Sequence, residues 1–195
     1  MVFRSYELKK NLLWKEVPRE TKIWFIQGIR ELQTKWWRIN AIVSDGKRWV
    51  LWAFPNIPSQ MCHFHQKQIV TRYITSNPIL LENIELKEIV ECLWKFSKKW
   101  FTMLLEDWYR RNKTFLEERN ESWKLVHWRT KSAYNSLKNN LKYLYTYEDY
   151  RGIIDIPRTT NSLESTFSRL KAYLWVHRWQ KKWRKLKSID YILSK

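Results

Sequence analysis

Glycine is almost missing from this chain: three residues in 195, where average usage is about 7%. That excludes a glycine-rich linker or collagen-like protein and leaves few places where the backbone can take a positive φ at no steric cost. Cysteine is as scarce, and Cys62 with Cys92 cannot build a disulfide scaffold; two thiols fit a reducing compartment. No apolar run approaches the roughly 18 residues of a membrane span. The start, Met1-Val2-Phe3-Arg4-Ser5-Tyr6, lacks the apolar stretch and small-residue cleavage site of a secretory signal. The expectation is a cytoplasmic protein without a membrane partner.

Acidic residues are few, 19 against 37 Lys and Arg, so the formal charge is +18 and the pI near 9.9. Such a field attracts polyanions, and neutralising phosphates releases condensed counterions, which puts nucleic acid first among partner classes. A membrane surface comes second among partners, and the plainer reading is that the excess lysine simply solvates exposed helix faces. The length suits one domain with a real core. Tryptophan is unusually frequent, with 14 copies.

Along the chain, residues 1–6 and 11–17 are β-prone and predict a hairpin around Glu7-Leu8-Lys9-Lys10. From Thr21, the apolar residues Trp24, Phe25, Ile29 and Leu32 recur at helical spacing. Residues 39–44 read as a buried strand ending at the turn dipeptide Asp45-Gly46, and 47–54 as a short helix stopped by Pro55. Residues 59–62 are extended and lead into a helix over 64–74. The first part of the core then spans 1–80, a helical insertion 81–145, and the end of the core, with a helix over 162–174, residues 146–174. A basic helix is expected over 175–195.

Three short segments carry possible chemistry, each with a plainer alternative. Asp45 ends a strand, where open α/β sheets place functional residues, yet Asp-Gly is also a common turn. Glu164 stands three residues after Asn161, a pattern that taken alone favours a helix capping box. Cys62 and His65 offer a thiolate and an imidazole, but a closed zinc site needs four ligands, and Cys92, His127 and His177 are scattered. Beyond these, Arg169, Lys171, His177, Arg178, Lys181, Lys182, Arg184, Lys185 and Lys187 interleave with Tyr173, Trp175, Trp179 and Trp183. Cations contact phosphates and aromatic faces stack on bases; an amphipathic helix docked through its tryptophans has the same pattern.

In order, Ile42-Val43-Ser44-Asp45-Gly46-Lys47-Arg48, Gln60-Met61-Cys62-His63-Phe64-His65-Gln66 and Thr159-Thr160-Asn161-Ser162-Leu163-Glu164 resemble the mutator-type DDE transposases of bacterial insertion sequences. The resemblance implies an α/β ribonuclease-H-like catalytic core with a helical insertion, holding divalent metal, Mg2+ or Mn2+, on three carboxylates. It assigns Asp45 and Glu164 as catalytic metal ligands, Cys62 and His65 as a supporting motif, and Asn161, Arg169, Lys171, His177 and Arg178 as contacts to DNA. The implied partner is double-stranded DNA, both transposon ends and target, handled near the nucleoid by a homodimer of the full-length form.

Two departures from the family pattern stand out. The family's first catalytic Asp lies on a strand ahead of the hairpin, and no residue here fills that role; the expectation is an N-terminally truncated copy lacking the first strand. The alternative is a catalytically inactive, DNA-binding remnant. Trp49 and Trp179, and at a third place Trp36, stand where relatives usually have glycine. A host that reads UGA as glycine, with the codon rendered here as tryptophan, would account for both the glycine shortage and the tryptophan excess.

Overall fold

The computed structural model describes residues 1–194. In chain order the elements are β1 (Val2–Arg4), β2 (Asn11–Trp14), α1 (Lys22–Thr34), β3 (Ile42–Ser44), α2 (Arg48–Leu51), β4 (Ser59–Met61) and α3 (His63–Ile74). Then follow α4 (Leu81–Glu91), α5 (Lys98–Arg111), α6 (Lys113–Glu117), α7 (Trp128–Leu144), α8 (Thr146–Asp149), α9 (Asn161–Val176) and α10 (Lys182–Leu193). The chain is a mixed α/β protein whose strands form two two-stranded sheets among the described residues. It divides into two compact units: Met1–Asn40, Trp52–Pro55 and the segment from Thr160 onward make one, Ala41–Leu51 and Asn56–Thr159 the other.

In the first unit, β1 and β2 pair antiparallel with Val2 opposite Trp14 and Phe3 opposite Leu13, and the register slips between Phe3 and Arg4. The Ser5 N–H donates to the Lys10 carbonyl at 2.9 Å and closes the hairpin around residues 6–9, and both strands are shorter than their β-prone sequence. Helix α1 buries Phe25, Ile29 and Leu32, but Trp24 of the same apolar series is exposed. Gly28 lies on that buried face because Phe3 needs the room: a Cβ there would sit 2.3 Å from its ring. Phe3 in turn stacks on Phe25 with ring centroids 5.7 Å apart. Polar bonds fasten the two C-terminal helices of this unit to the hairpin. The Arg4 Nε donates to Ser162 Oγ at 2.7 Å, the Trp14 indole N–H to Asp190 Oδ1 at 2.9 Å, and the Asn11 amide to the Leu193 carbonyl at 2.9 Å.

The second unit is built on a parallel pair, Ile42 opposite Ser59, Val43 opposite Gln60 and Ser44 opposite Met61. Its apolar core runs through α3, α4, α5 and α7, with Val70, Leu86, Phe101, Trp108, Leu137 and Leu144 among the buried side chains. Buried Trp108 keeps its indole N–H satisfied by the Glu82 carbonyl at 3.2 Å and stacks on Tyr134. A buried amide in a core costs free energy unless it is paired. Gln60 meets that demand: its Nε2 donates to the carbonyls of Met61 and Leu144, both at 2.8 Å, and its Oε1 accepts the Tyr147 N–H at 3.1 Å. Those bonds hold β4 to the end of α7.

The middle of the chain is helical as its apolar periodicity predicts, with one exception. Between α6 and α7 the chain makes a tight antiparallel turn in which Arg119 bridges Leu125. The basic C-terminal segment also differs from a single helix over 175–195. Helix α9 continues to Val176, a turn follows, and α10 begins at Lys182.

Candidate functional site

Because β3 and β4 are parallel and in register, their carboxyl ends lie side by side, and the residues that follow them, Asp45 and Cys62, emerge at the same edge. The Cys62 N–H donates to the Ser44 carbonyl at 2.8 Å, extending the ladder by one bond. Parallel strands of an α/β fold present their functional groups at this edge. Asp45 is half-buried; its Oδ1 accepts the Lys47 backbone N–H at 3.3 Å and its Oδ2 lies 3.5 Å from Lys47 Nζ. With both side chains 39% exposed, that ion pair contributes little to stability and leaves the carboxylate reachable by other cations.

Gly46 sets the direction in which Asp45 leaves the strand. Its φ is +87°, and a Cβ would lie 2.4 Å from the terminal methyl of Met61, which is fully buried beneath it. Gly46→Ala therefore meets both a left-handed backbone and a filled core, and is expected to cost about 1–3 kcal/mol. Denaturant melts of wild type and variant measure it, and equal midpoints would contradict the packing described.

Cys62 is buried at the N-terminal cap position of α3, and its Sγ and a ring nitrogen of His65 lie within 4.8 Å of one another. The other donors of this unit do not join them in a four-ligand zinc set. His127 stacks on Phe115 at 3.6 Å between centroids and bonds the Glu118 carboxylate at 3.0 Å, and Cys92 belongs to the turn after α4.

The sequence did not single out His63, which the fold buries completely. Its Nε2 lies 2.6 Å from the Leu144 carbonyl, which can only accept, so Nε2 carries the proton. Nδ1 is then a bare acceptor, buried without a hydrogen-bond partner, among the rings of Trp94, Tyr145 and Tyr147. Burial, chiefly, holds the imidazole below its ordinary pKa, with Arg158 adding to the effect. The same burial raises the phenols of Tyr145 and Tyr147, the latter to about 12. Since His63 in the unfolded chain takes up a proton below about pH 6.5 while the folded ring resists it, stability present above that pH is lost as the pH falls. The expected slope is up to about 1.4 kcal/mol per pH unit until the folded ring titrates. Urea melts between pH 7.5 and 5 measure it, and His63→Gln should flatten that part of the curve.

In the first unit, α9 begins at Asn161, so Thr160 holds the cap position and Glu164 sits in the first full turn. The capping box expected between Asn161 and Glu164 does not form: Asn161 is the first helical residue, and it is the Thr160 hydroxyl that donates to Glu164 Oε1, at 2.8 Å. Glu164 is half-buried. The buried face of α9 carries Thr166 and Leu170. Asn161, Glu164 and Lys171, spaced by three and seven residues, share the opposite face, with Arg169 on its flank. Asn161, Arg169, Lys171 and Arg178 are exposed. His177 is half-buried against Tyr173, 4.5 Å between ring centroids. Further cations lie over tryptophan rings, Arg178 over Trp175 at 5.5 Å and Arg184 over Trp183 at 5.2 Å. This surface is cationic and aromatic together, the mixture that suits a polyanion with stackable bases.

Comparison with known protein families, characterised proteins and solved structures finds no match to this chain.

Proposed function

We propose that the chain is the catalytic part of a mutator-type DDE transposase, which cuts and joins DNA strands by metal-dependent phosphoryl transfer. The observation that carries the reading is the parallel β3–β4 pair, which presents Asp45 and the Cys62-x-x-His65 element together at its carboxyl edge. That arrangement supports the reading, because the resemblance puts the second catalytic Asp at a strand end and the Cys-x-x-His element after the next strand. The charge of +18 and the exposed cations of α9 and the segment after it support DNA as the partner.

The donor chemistry fits the metal. Asp45 and Glu164 are hard oxygen ligands suited to Mg2+ or Mn2+, whereas Cys62 and His65 are softer and act as a structural support beside Asp45. When bound, the divalent ions would lower the pKa of the attacking water or 3′-hydroxyl and stabilise the leaving oxygen. The chain's own contribution is to fix where its carboxylates stand. Gly46 and the Lys47 N–H orient Asp45, and the Thr160 hydroxyl orients Glu164. Asn161, Arg169, Lys171, His177 and Arg178 would bind the phosphates of transposon ends and target. In its full-length form the enzyme would act as a homodimer on paired ends, in the cytoplasm at the nucleoid.

The family motifs assign two of the three carboxylates, and this favours one other reading, a DNA-binding remnant without activity. The deciding experiment incubates the purified chain, in Mg2+ or Mn2+, with duplex DNA carrying the flanks of its own locus. Metal-dependent strand cutting supports the transposase reading for this chain. Salt-sensitive binding without cutting assigns the remnant, and absence of binding at low salt sinks both.

A further inference from the structure

We infer that positions 36 and 123 are glycine in the protein as its own cell makes it, the codon at each being one that the host reads as glycine. The inference is independent of the transposase reading. It rests on two backbone motifs that ask for glycine and on what stands there instead.

The first is the end of α1. Lys35 caps the helix, Trp36 follows with φ +64°, and its N–H donates to the Gln33 carbonyl at 3.0 Å, while the Trp37 N–H reaches back to the Leu32 carbonyl at 3.1 Å. This pair of bonds, from the first and second residues past the cap to the second- and third-last helical residues, is the Schellman motif. Its left-handed position is usually glycine. The second is the turn before α7. The Trp123 N–H donates to the Asn120 carbonyl at 2.9 Å, the Asn120 N–H to the Lys124 carbonyl at 3.0 Å, and Arg119 pairs with Leu125. That is a three-residue hairpin loop, Glu121-Ser122-Trp123, whose third residue must be left-handed; Trp123 has φ +57°. Glycine is the residue that fills this place without strain.

A bulky side chain at positive φ is an outlier, because its Cβ crowds the adjacent carbonyl. It persists when the side chain gains enough from packing to offset the strain. Neither indole packs into the core: Trp36 is 95% exposed, and Trp123, 77% exposed, has only a surface contact with the Arg119 guanidinium, 5.9 Å from its ring centroid, which is weak at an exposed site. Both add apolar surface to solvent at positions where they also strain the backbone.

Positive φ alone does not single out tryptophan, since Lys9 and Thr75 have it too. What separates positions 36 and 123 is the conjunction of motif, residue type and exposure. Elsewhere the fold behaves as glycine chemistry predicts: Gly46 and Gly152 stand at φ +87° and +84°. Tryptophan as a class is out of place here. Of 14 tryptophans, eleven are exposed among the described residues, against the strong burial usual for this side chain. Trp108 behaves as a true tryptophan, fully buried and hydrogen-bonded. Trp49 and Trp179 have no positive φ, so the backbone gives no reason for glycine at either. The structure thus supports position 36 of the three suggested by the family pattern and adds position 123.

The gene provides the first test. Codons 36 and 123 should be UGA and codon 108 UGG; UGG at 36 or 123 overturns the inference at that position. Peptide mass spectrometry of the protein isolated from its own cells should then find glycine at both places, and tryptophan there, under UGA codons, would overturn it equally. A physical check uses the recombinant chain as written. Trp36→Gly and Trp123→Gly should each raise the melting midpoint by roughly 2–4 °C, whereas Trp108→Gly should lower it. A lowered midpoint in either of the first two variants would mean that the indole is native to its turn.

Discussion

Asp45→Asn and Glu164→Gln are each expected to lower metal-dependent DNA strand cleavage by at least about a hundredfold, since even partners behind a metal ligand cost about ten- to a hundredfold when changed. Both replacements keep the shape of the side chain and remove its charge. The hydrogen bonds that place the groups can survive, because an amide oxygen still accepts from the Lys47 N–H and from the Thr160 hydroxyl. Loss of cleavage would then reflect loss of anionic oxygen for a divalent ion rather than loss of position. DNA affinity in a chelator should stay level or rise slightly, because a carboxylate near phosphate is repulsive and its neutral isostere is not. Gel-shift and cleavage assays on the same preparations separate the effects. If binding and cleavage fall together, the two residues support the fold or the interface, and the metal-ligand assignment is lost.

The elements that form this part of the molecule were legible to different degrees. The order strand, strand, helix, strand, helix, strand, helix over the first 74 residues follows from local pattern, because the apolar spacing of Phe25, Ile29 and Leu32 and the β-branched run before Asp45 are strong signals. The mutual placement of Asp45 and Cys62 is not local. It depends on β3 and β4 pairing in parallel with Ser44 opposite Met61, a register that no single segment encodes. The cap of α9 is ambiguous in sequence because Thr160 and Asn161 are both good cap residues, and the hydroxyl of Thr160 is the one that reaches Glu164. The hairpin before α7 was hidden in a helical stretch since its left-handed residue is written Trp123, and without glycine there the turn signal is weak. His63 was passed over for Cys62 and His65, as only tertiary packing makes its Nδ1 an unpaired acceptor.

Affinity for duplex DNA should fall steeply with salt and hardly depend on sequence. If about six of the exposed cations on α9 and the segment beyond it each neutralise a phosphate, the slope of log affinity against log salt is about −5, and raising salt from roughly 50 to 200 mM weakens binding about a thousandfold. The quadruple replacement Arg169→Gln, Lys171→Gln, Arg178→Gln and Lys181→Gln should make the slope shallower by about 0.9 per residue. All four side chains are exposed, so the fold has little reason to respond. The competing picture is a charged face that only keeps the helices in solution. On that picture the quadruple variant binds with the parent's slope, and the counterions are released elsewhere on a chain with a charge of +18. Aromatic partners of these cations allow a finer division. Arg178 lies over Trp175, and Trp175→Ala would remove a stacking surface without touching charge. A fall in affinity for single-stranded DNA at an unchanged salt slope would assign that ring to bases and leave the phosphates to the cations.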